Sequence, residues 1–304
     1  MSLYLKYRPK TLDELRGNAG IASALDSMLS NKDTCPHAFL IHGPTGCGKT
    51  TIGRIIAERL DCKGSDFREV NTADMRGIDT IRDIIKQAQF RPIEGSCRIW
   101  LIDESHKLTN DAQNAMLNIL EDTPKHVYFI LCTTDPQKLL AAIKNRCSQF
   151  AVKPLDDRQM FRLLKTVVKD EGEELPQEVY DQIMQDSLGH PRNALQILDQ
   201  VLRVDADKRL EIARRSAEEQ SESIALCRAL IKEGTGWKEV REILSGLKDQ
   251  EPESIRRNVL GYAQAVLLKE DNTRAGLVLE EFRDPFFNSG FPMLVYACYS
   301  IIKN

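Results

Sequence analysis

Holding a nucleoside triphosphate takes inward-turned backbone N–H groups, a cation for the phosphates, and hard oxygen ligands for a metal ion. The run Gly43-Pro44-Thr45-Gly46-Cys47-Gly48-Lys49-Thr50 supplies the first two. It fits GxxxxGK[ST], and it stands between an apolar run that reads as a strand and a pattern that reads as a helix, the context this motif needs. The glycines let N–H groups curl around phosphate oxygens, and the helix N-terminus adds its positive dipole end. Lys49 is expected to reach the β- and γ-phosphates of ATP, and Thr50 to ligate Mg²⁺. The nucleotide contacts expected here are Pro44, Thr45, Gly46, Cys47, Gly48, Lys49, Thr50 and Thr51. A chance glycine turn would explain the glycines but not the flanking strand and helix.

A second set of groups follows. Ile99-Trp100-Leu101-Ile102-Asp103-Glu104 is an apolar strand ending in two acids. A strand end puts both carboxylates at the sheet edge where the phosphate loop also lies. Asp103 suits Mg²⁺, held through water, and Glu104 suits the orientation of an attacking water. The plain alternative is a strand that ends in solvated acids. Thr133 and Thr134 end another apolar run, where a hydroxyl can hold the γ-phosphate or the water; an ordinary strand-end threonine is the competing reading. Arg192 opens a later helix, from which it could report the presence of a γ-phosphate.

These residues need a scaffold. Ala38–Ile41, Cys97–Ile102 and Val127–Cys132 read as buried strands, with Ser148–Val152 as a last short one. Helical patterns over Thr50–Leu60, Ile78–Gln89 and Asn110–Leu120 alternate with them, and Asp135–Lys144 is helix-like. That alternation predicts a parallel sheet covered on both faces, with the 127–132 strand beside the phosphate-loop strand. After Pro154 only helices are expected: 156–171 with Asp156 as N-cap, 177–187, 192–203, 208–232, 237–247, 253–269, 273–283 and 292–302. A short polar linker at 204–208 separates them into two groups. The fold class is therefore α/β plus all-α.

Bulk composition sets limits. The 304 residues are 42% hydrophobic and 29% charged, with a formal net charge of −3. A net-acidic chain exerts no global pull on nucleic acid, so DNA contact would need a local basic surface. The eight cysteines form no CxxC and accompany no histidine cluster, which argues against structural zinc. No apolar stretch reaches the ~18–20 residues that span a bilayer, and no signal peptide is evident, so a cytoplasmic location and no membrane partner are expected.

The motifs resemble the AAA+ clamp-loader ATPase subunits of the replication-factor type. Tyr7-Arg8-Pro9-Lys10-Thr11-Leu12-Asp13-Glu14 is similar to the family's N-terminal segment, which packs around adenine. Asn71-Thr72-Ala73-Asp74-Met75-Arg76-Gly77-Ile78-Asp79 resembles its Asn-x-x-Asp-x-Arg-Gly-Ile-Asp stretch. Asp103-Glu104-Ser105-His106-Lys107-Leu108 resembles its acidic box, Asn145-Arg146-Cys147 its Ser-Arg-Cys motif, and Gly189-His190-Pro191-Arg192 its second sensor. The resemblance covers about residues 3–200. Asn145 and Ser105 depart from the family pattern, and the zinc module of bacterial loader ATPases is absent, which leans toward the phage, archaeal or eukaryotic branches, with the corresponding host cytoplasm or nucleus as compartment.

What the resemblance implies is specific. An AAA+ P-loop ATPase domain would occupy 1–153, a helical lid 154–204 and a helical collar for oligomerisation 205–304. Lys6, Tyr7, Arg8 and Arg16 would contact the nucleotide. Arg146 would act on a neighbouring subunit's site; a solvated surface arginine is what its position alone suggests. Arg76, Arg82 and Lys86 would touch primer–template DNA without reading sequence; the bland alternative is a solvated helix face paired with Asp79 and Asp83. Lys49, Glu104 and Arg146 would be catalytic together with Thr133 or Thr134. The implied function is ATP-driven opening of a sliding clamp and its loading on DNA during replication, within a pentamer of several copies of this chain and a different subunit. Another AAA+ DNA-remodelling ATPase, of branch-migration or recombination type, and a nucleotide-gated scaffold are the competing functions.

Overall fold

The computed structural model describes residues 1–31, 34–73, 75, 77–220, 222–248, 250–268, 271–286 and 289–303. The chain divides into two compact units, Leu5–Gln159 and Met160–Asn304 together with Met1–Tyr4.

The first unit is organised by a five-stranded sheet: β1 (Ala38–His42), β2 (Phe67–Asn71), β3 (Arg98–Asp103), β4 (Val127–Thr133) and β5 (Ser148–Ala151), in the spatial order β2-β3-β4-β1-β5. All pairings are parallel, so every connection must cross over, and most do so through a helix. The helices are the end of α1 (Leu3–Lys6), α2 (Ala19–Leu29), α3 (Lys49–Arg59), α4 (Ile78–Ala88), α5 (Asn110–Glu121), α6 (Ala141–Asn145) and the start of α7 (Asp157–Asp170).

Period-two alternation along the strands builds a core on each face. Phe39, Ile41, Ile99, Leu101 and Ile130 join an apolar cluster with Leu25 and Leu29 of α2 and Ile52, Ile55 and Ile56 of α3. Leu40, Trp100, Ile102, Phe129 and Leu131 join the other, with Ile81 and Ile84 of α4 and Met116 and Ile119 of α5. Burial on both faces is why β1, β3 and β4 read as unbroken apolar runs. The expected neighbour relation also holds: β4 pairs with β1, Leu40 opposite Leu131.

Two sequence expectations for this unit need correction. β2 is absent from them, because Phe67-Arg68-Glu69-Val70-Asn71 is an edge strand paired to β3 alone, and its exposed side carries charged and polar residues. The 135–144 stretch is not one helix but a 3-10 turn, Pro136–Lys138, followed by α6. Asp156 caps α7 as expected: its Oδ1 accepts the Gln159 N–H at 2.7 Å while Gln159 Oε1 accepts the Asp156 N–H at 3.2 Å. Such a reciprocal box contributes about 1 kcal/mol.

The second unit is helical throughout: the rest of α7, then α8 (Gln177–Ser187), α9 (Pro191–Val201), α10 (Arg209–Gln220), α11 (Glu222–Ile231), α12 (Trp237–Gly246), α13 (Pro252–Leu267), α14 (Thr273–Glu281) and α15 (Gly290–Lys303). The expected single helix over 208–232 is two helices, α10 and α11, preceded by a 3-10 turn at Ala206–Lys208. A buried ion pair, Arg228 Nη2 to Asp186 at 2.5 Å, ties α11 to α8. Among the described residues no helix is long and apolar enough to cross a membrane, and the eight cysteines are free, all but Cys147 buried.

Candidate nucleotide site

The phosphate loop leaves β1 at Gly43. This residue has φ +147° and donates its N–H to Thr133 O at 3.2 Å; an added Cβ would meet Val152 O at 2.2 Å, so only glycine allows the approach. Gly48, with φ +94°, turns the chain into α3, whose first N–H groups receive no side-chain cap. Uncapped N–H groups and the dipole end together form an anion site. Pro44 and Thr45 are exposed, Gly46 and Gly48 half-buried, and Thr51 buried. Cys47 is buried with the core residues, its Sγ 3.8 Å from Thr45 O of the loop.

Lys49 is 6% exposed. Its Nζ donates to Gly43 O and Pro44 O, each at 3.0 Å. Burial lowers its pKa, and the Glu104 and Asp103 carboxylates oppose that shift. The ammonium is thus held over the loop with hydrogen-bonding capacity left over.

β3 delivers the acids to the same place. Thr50 Oγ1 donates to Asp103 Oδ2 at 2.8 Å, and Asp103 Oδ1 accepts the Glu104 N–H at 2.9 Å. A hydroxyl and a carboxylate side by side are hard oxygen donors of the kind Mg²⁺ takes alongside waters and substrate phosphates. Among the described residues no group of three or more His, Cys, Asp or Glu could hold a metal without such help. Glu104 has φ +51°, left-handed backbone that costs a non-glycine residue roughly 1–3 kcal/mol. That conformation turns its carboxylate out of the strand, where it is about one-third exposed.

Three residues that the sequence reading gave no role hold this turn. Thr72, fully buried at the end of β2, donates its backbone N–H to Asp103 O at 3.1 Å, and its hydroxyl lies 2.6 Å from Glu104 O. Ser105 Oγ donates to Cys132 O at 3.0 Å. His106 Nδ1 lies 3.0 Å from Thr133 Oγ1 and 3.4 Å from Glu104 Oε2. The adjacency of Ser105 and His106 to the acidic pair was the only sequence signal; Thr72 comes from the strand that the apolar runs did not reveal.

Of the remaining expected site residues, Thr133 touches this cluster through His106. Thr133 is fully buried and accepts the Asp135 N–H at 3.0 Å, whereas Thr134 is half-buried. Arg146, just past α6, donates to Ala142 O at 3.0 Å and pairs with Glu121 at the end of α5. Lys6 Nζ lies 5.4 Å from the Tyr7 ring centroid; Arg8 is half-buried and Arg16 exposed. Arg192 is exposed in the first turn of α9, in the other unit. Arg82 and Lys86 project from α4 and make solvent-exposed pairs with Asp79 at 3.3 Å and Asp83 at 3.8 Å. Arg76 lies outside the described residues.

Comparison with known proteins agrees with this architecture. A family model described as DNA polymerase III, delta subunit, matches residues 63–156. The DNA polymerase III subunit gamma/tau of Mycobacterium tuberculosis is 32% identical over 237 residues, 70% of this chain and 41% of that protein. DNA polymerase III subunit tau of Escherichia coli is 32% identical over 218 residues, 65% of this chain and 34% of its own length. The chain thus spans well under half of either relative. Among solved structures, the Thermotoga maritima RuvB Holliday junction branch migration motor aligns over 80% of both chains with a TM-score of 0.58 and 22% identity, a likeness of fold.

The fold is that of an AAA+ P-loop ATPase. Over the spans given, the chain is similar to DNA polymerase III gamma/tau and delta subunits.

Proposed function

We propose that the chain is an ATPase subunit of a sliding-clamp loader, acting in DNA replication through ATP binding and hydrolysis. The observation that carries this reading is the convergence of Lys49, Thr50, Asp103 and Glu104 on one edge of the sheet, with Thr50 and Asp103 in direct hydrogen bond, in a chain akin to DNA polymerase III gamma/tau subunits.

The residues divide the work as follows. Loop N–H groups and the α3 N-terminus cradle the phosphates of ATP. Lys49 moves from the Gly43 and Pro44 carbonyls to the β- and γ-phosphate oxygens, exchanging neutral acceptors for charged ones. Thr50 and Asp103 would hold Mg²⁺, which when bound neutralises charge on the phosphates. Glu104 accepts a hydrogen bond from the attacking water and orients it toward the γ-phosphate. Thr134 is the better-placed sensor of the two threonines, since Thr133 is buried and engaged. Lys6, Tyr7, Arg8 and Arg16 serve the adenine side.

Arg146 acts in trans on a neighbouring subunit's γ-phosphate, which makes the working unit an oligomer, a pentamer in this reading. Arg192 reports the γ-phosphate from the lid, residues 154–204, and residues 205–304 form the collar. Arg76, Arg82 and Lys86 track DNA phosphates: exposed pairs of the Arg82–Asp79 kind contribute only ~0.2–1 kcal/mol, so phosphate can displace them at little cost. The chain works without a membrane partner.

ATP turnover measured with and without primer–template DNA and a ring-shaped clamp tests this. Stimulation requiring both DNA and clamp is expected. Stimulation by four-way junction DNA, indifferent to a clamp, would favour a branch-migration motor instead, and absence of turnover under every condition would remove the ATPase reading.

A further inference from the structure

Glu104 follows β3 directly and Thr133 ends the adjacent strand β4, and the His106 side chain lies within reach of both. His106 lies in the 3-10 turn Ser105–Lys107 and is 8% exposed. Its Nδ1 is 3.4 Å from Glu104 Oε2 and 3.0 Å from Thr133 Oγ1. The turn that carries it is fixed at both ends. Ser105 Oγ donates to Cys132 O at 3.0 Å, and the Lys107 N–H donates to Glu104 O at 2.8 Å. Thr133 is fixed in turn, its Oγ1 accepting the Asp135 N–H at 3.0 Å.

The Glu104 carboxylate can only accept, whereas the Thr133 hydroxyl can donate or accept, so a hydrogen on Nδ1 is the arrangement that suits both neighbours. Burial lowers the pKa of the ring, against the pull of Glu104, which favours a neutral imidazole with one N–H to give. In the tautomer with its hydrogen on Nδ1, that nitrogen has Thr133 Oγ1 at hydrogen-bond distance and Glu104 Oε2 within reach at 3.4 Å. Glu104 sits in left-handed backbone just past β3 with its carboxylate one-third exposed, so a hydrogen bond from the ring would narrow the rotamers that it can take.

We propose that His106 is a positioning residue for the hydrolytic reaction, holding the Glu104 carboxylate in its water-orienting rotamer by a hydrogen bond anchored on Thr133. This rests on the reading of Glu104 given above. It assigns Thr133 a role distinct from phosphate sensing: its buried hydroxyl is the fixed point, and movement at the end of β4 is passed to Glu104 through the imidazole.

The test compares ATP affinity of the chain, and ATP turnover of the complex assembled with partner subunits, clamp and primer–template DNA, for the parent and four variants: His106→Ala, His106→Asn, Glu104→Gln, and His106→Ala with Glu104→Gln. Loss of positioning is expected to reduce kcat of His106→Ala by about 10- to 100-fold while ATP affinity stays within about 2-fold. His106→Asn, whose amide N–H can take the place of the ring N–H, is expected to recover part of that loss. The double variant is expected to be no slower than Glu104→Gln alone, since the histidine acts only through the carboxylate. Parental turnover by His106→Ala, loss of affinity in step with rate, or a double variant slower by the product of the single effects would each overturn the proposal. A parent complex that binds ATP but does not turn it over, with partner subunits, clamp and primer–template DNA present, would instead remove the role of Glu104, and this inference with it.

Discussion

Thr50 Oγ1 donates a hydrogen bond of 2.8 Å to Asp103 Oδ2, across fifty-three positions of sequence and between a helix N-terminus and the end of the neighbouring central strand but one. The strand order explains how this contact arises. β1 and β3 flank β4, so the loop after β1 and the acids after β3 reach the same edge of the sheet. Ligands of open α/β sheets bind at that edge.

The first prediction concerns binding. Lys49→Ala removes a charge-assisted partner of the phosphates, worth about 1.5–3 kcal/mol, and is expected to weaken ATP affinity about 10- to 100-fold. Titration with a fluorescent ATP analogue measures it. Parental affinity would show that the buried ammonium serves only the loop carbonyls that it contacts here.

Mg²⁺ dependence is the second. Asp103→Asn keeps an oxygen beside Thr50 but removes the negative charge, so ATP turnover is expected to need a markedly higher Mg²⁺ concentration than in the parent. An unchanged Mg²⁺ titration would detach Asp103 from the metal.

The third concerns Arg146. In the isolated chain its guanidinium is engaged by Glu121 and Ala142, so Arg146→Ala should leave ATP binding by the monomer intact. In the assembled, DNA-stimulated complex it is expected to lower turnover by ~10³-fold or more, the usual effect of losing such an arginine. Mixing Arg146→Ala with Lys49→Ala subunits should restore part of the activity wherever a good loop meets a neighbour's Arg146. Failure to complement, with loss of ATP binding in monomeric Arg146→Ala, would place this arginine in its own chain's fold.

Stability against acid provides the fourth. Burial by itself would raise the pKa of Asp66, but N–H bonds from Glu94, Ile93 and Gly95 and the Arg98 guanidinium outweigh it and bring the pKa to about 2. A depressed carboxylate stabilises the fold above its unfolded pKa of about 3.9, and that contribution is lost as pH falls from there toward 2. Asp66→Asn leaves Arg98 buried without its counter-charge, at an expected cost of about 3–5 kcal/mol near neutral pH. Urea unfolding of parent and variant from pH 7 to pH 2.5 should show the gap narrowing below about pH 4. A gap that stays constant would mean that the carboxylate charge contributes nothing.

Much of the fold was legible in sequence because burial on both faces writes β1, β3 and β4 as continuous apolar runs, and because Asp156 and Gln159 mark a helix start by chemistry. β2 was not, since an edge strand carries charge where a central one carries apolar side chains. The same asymmetry governs the site. Lys49, Thr50, Asp103 and Glu104 announce themselves because phosphate and metal chemistry demand those types at those strand and helix ends. Thr72 and His106 could be quoted but not assigned, because what they do depends on which strand ends lie beside them. Glu121 likewise gains meaning only when α5 and α6 bring it to Arg146.

Glu104→Gln tests the central claim most directly. ATP bound per chain and ATP hydrolysed per chain would be measured together, in the presence of partner subunits, clamp and primer–template DNA. The variant is expected to bind ATP like the parent, retain clamp and DNA, and hydrolyse about 10²- to 10⁴-fold more slowly, the range for loss of a positioned base. Parental turnover in Glu104→Gln would contradict the assignment of this site as the seat of hydrolysis.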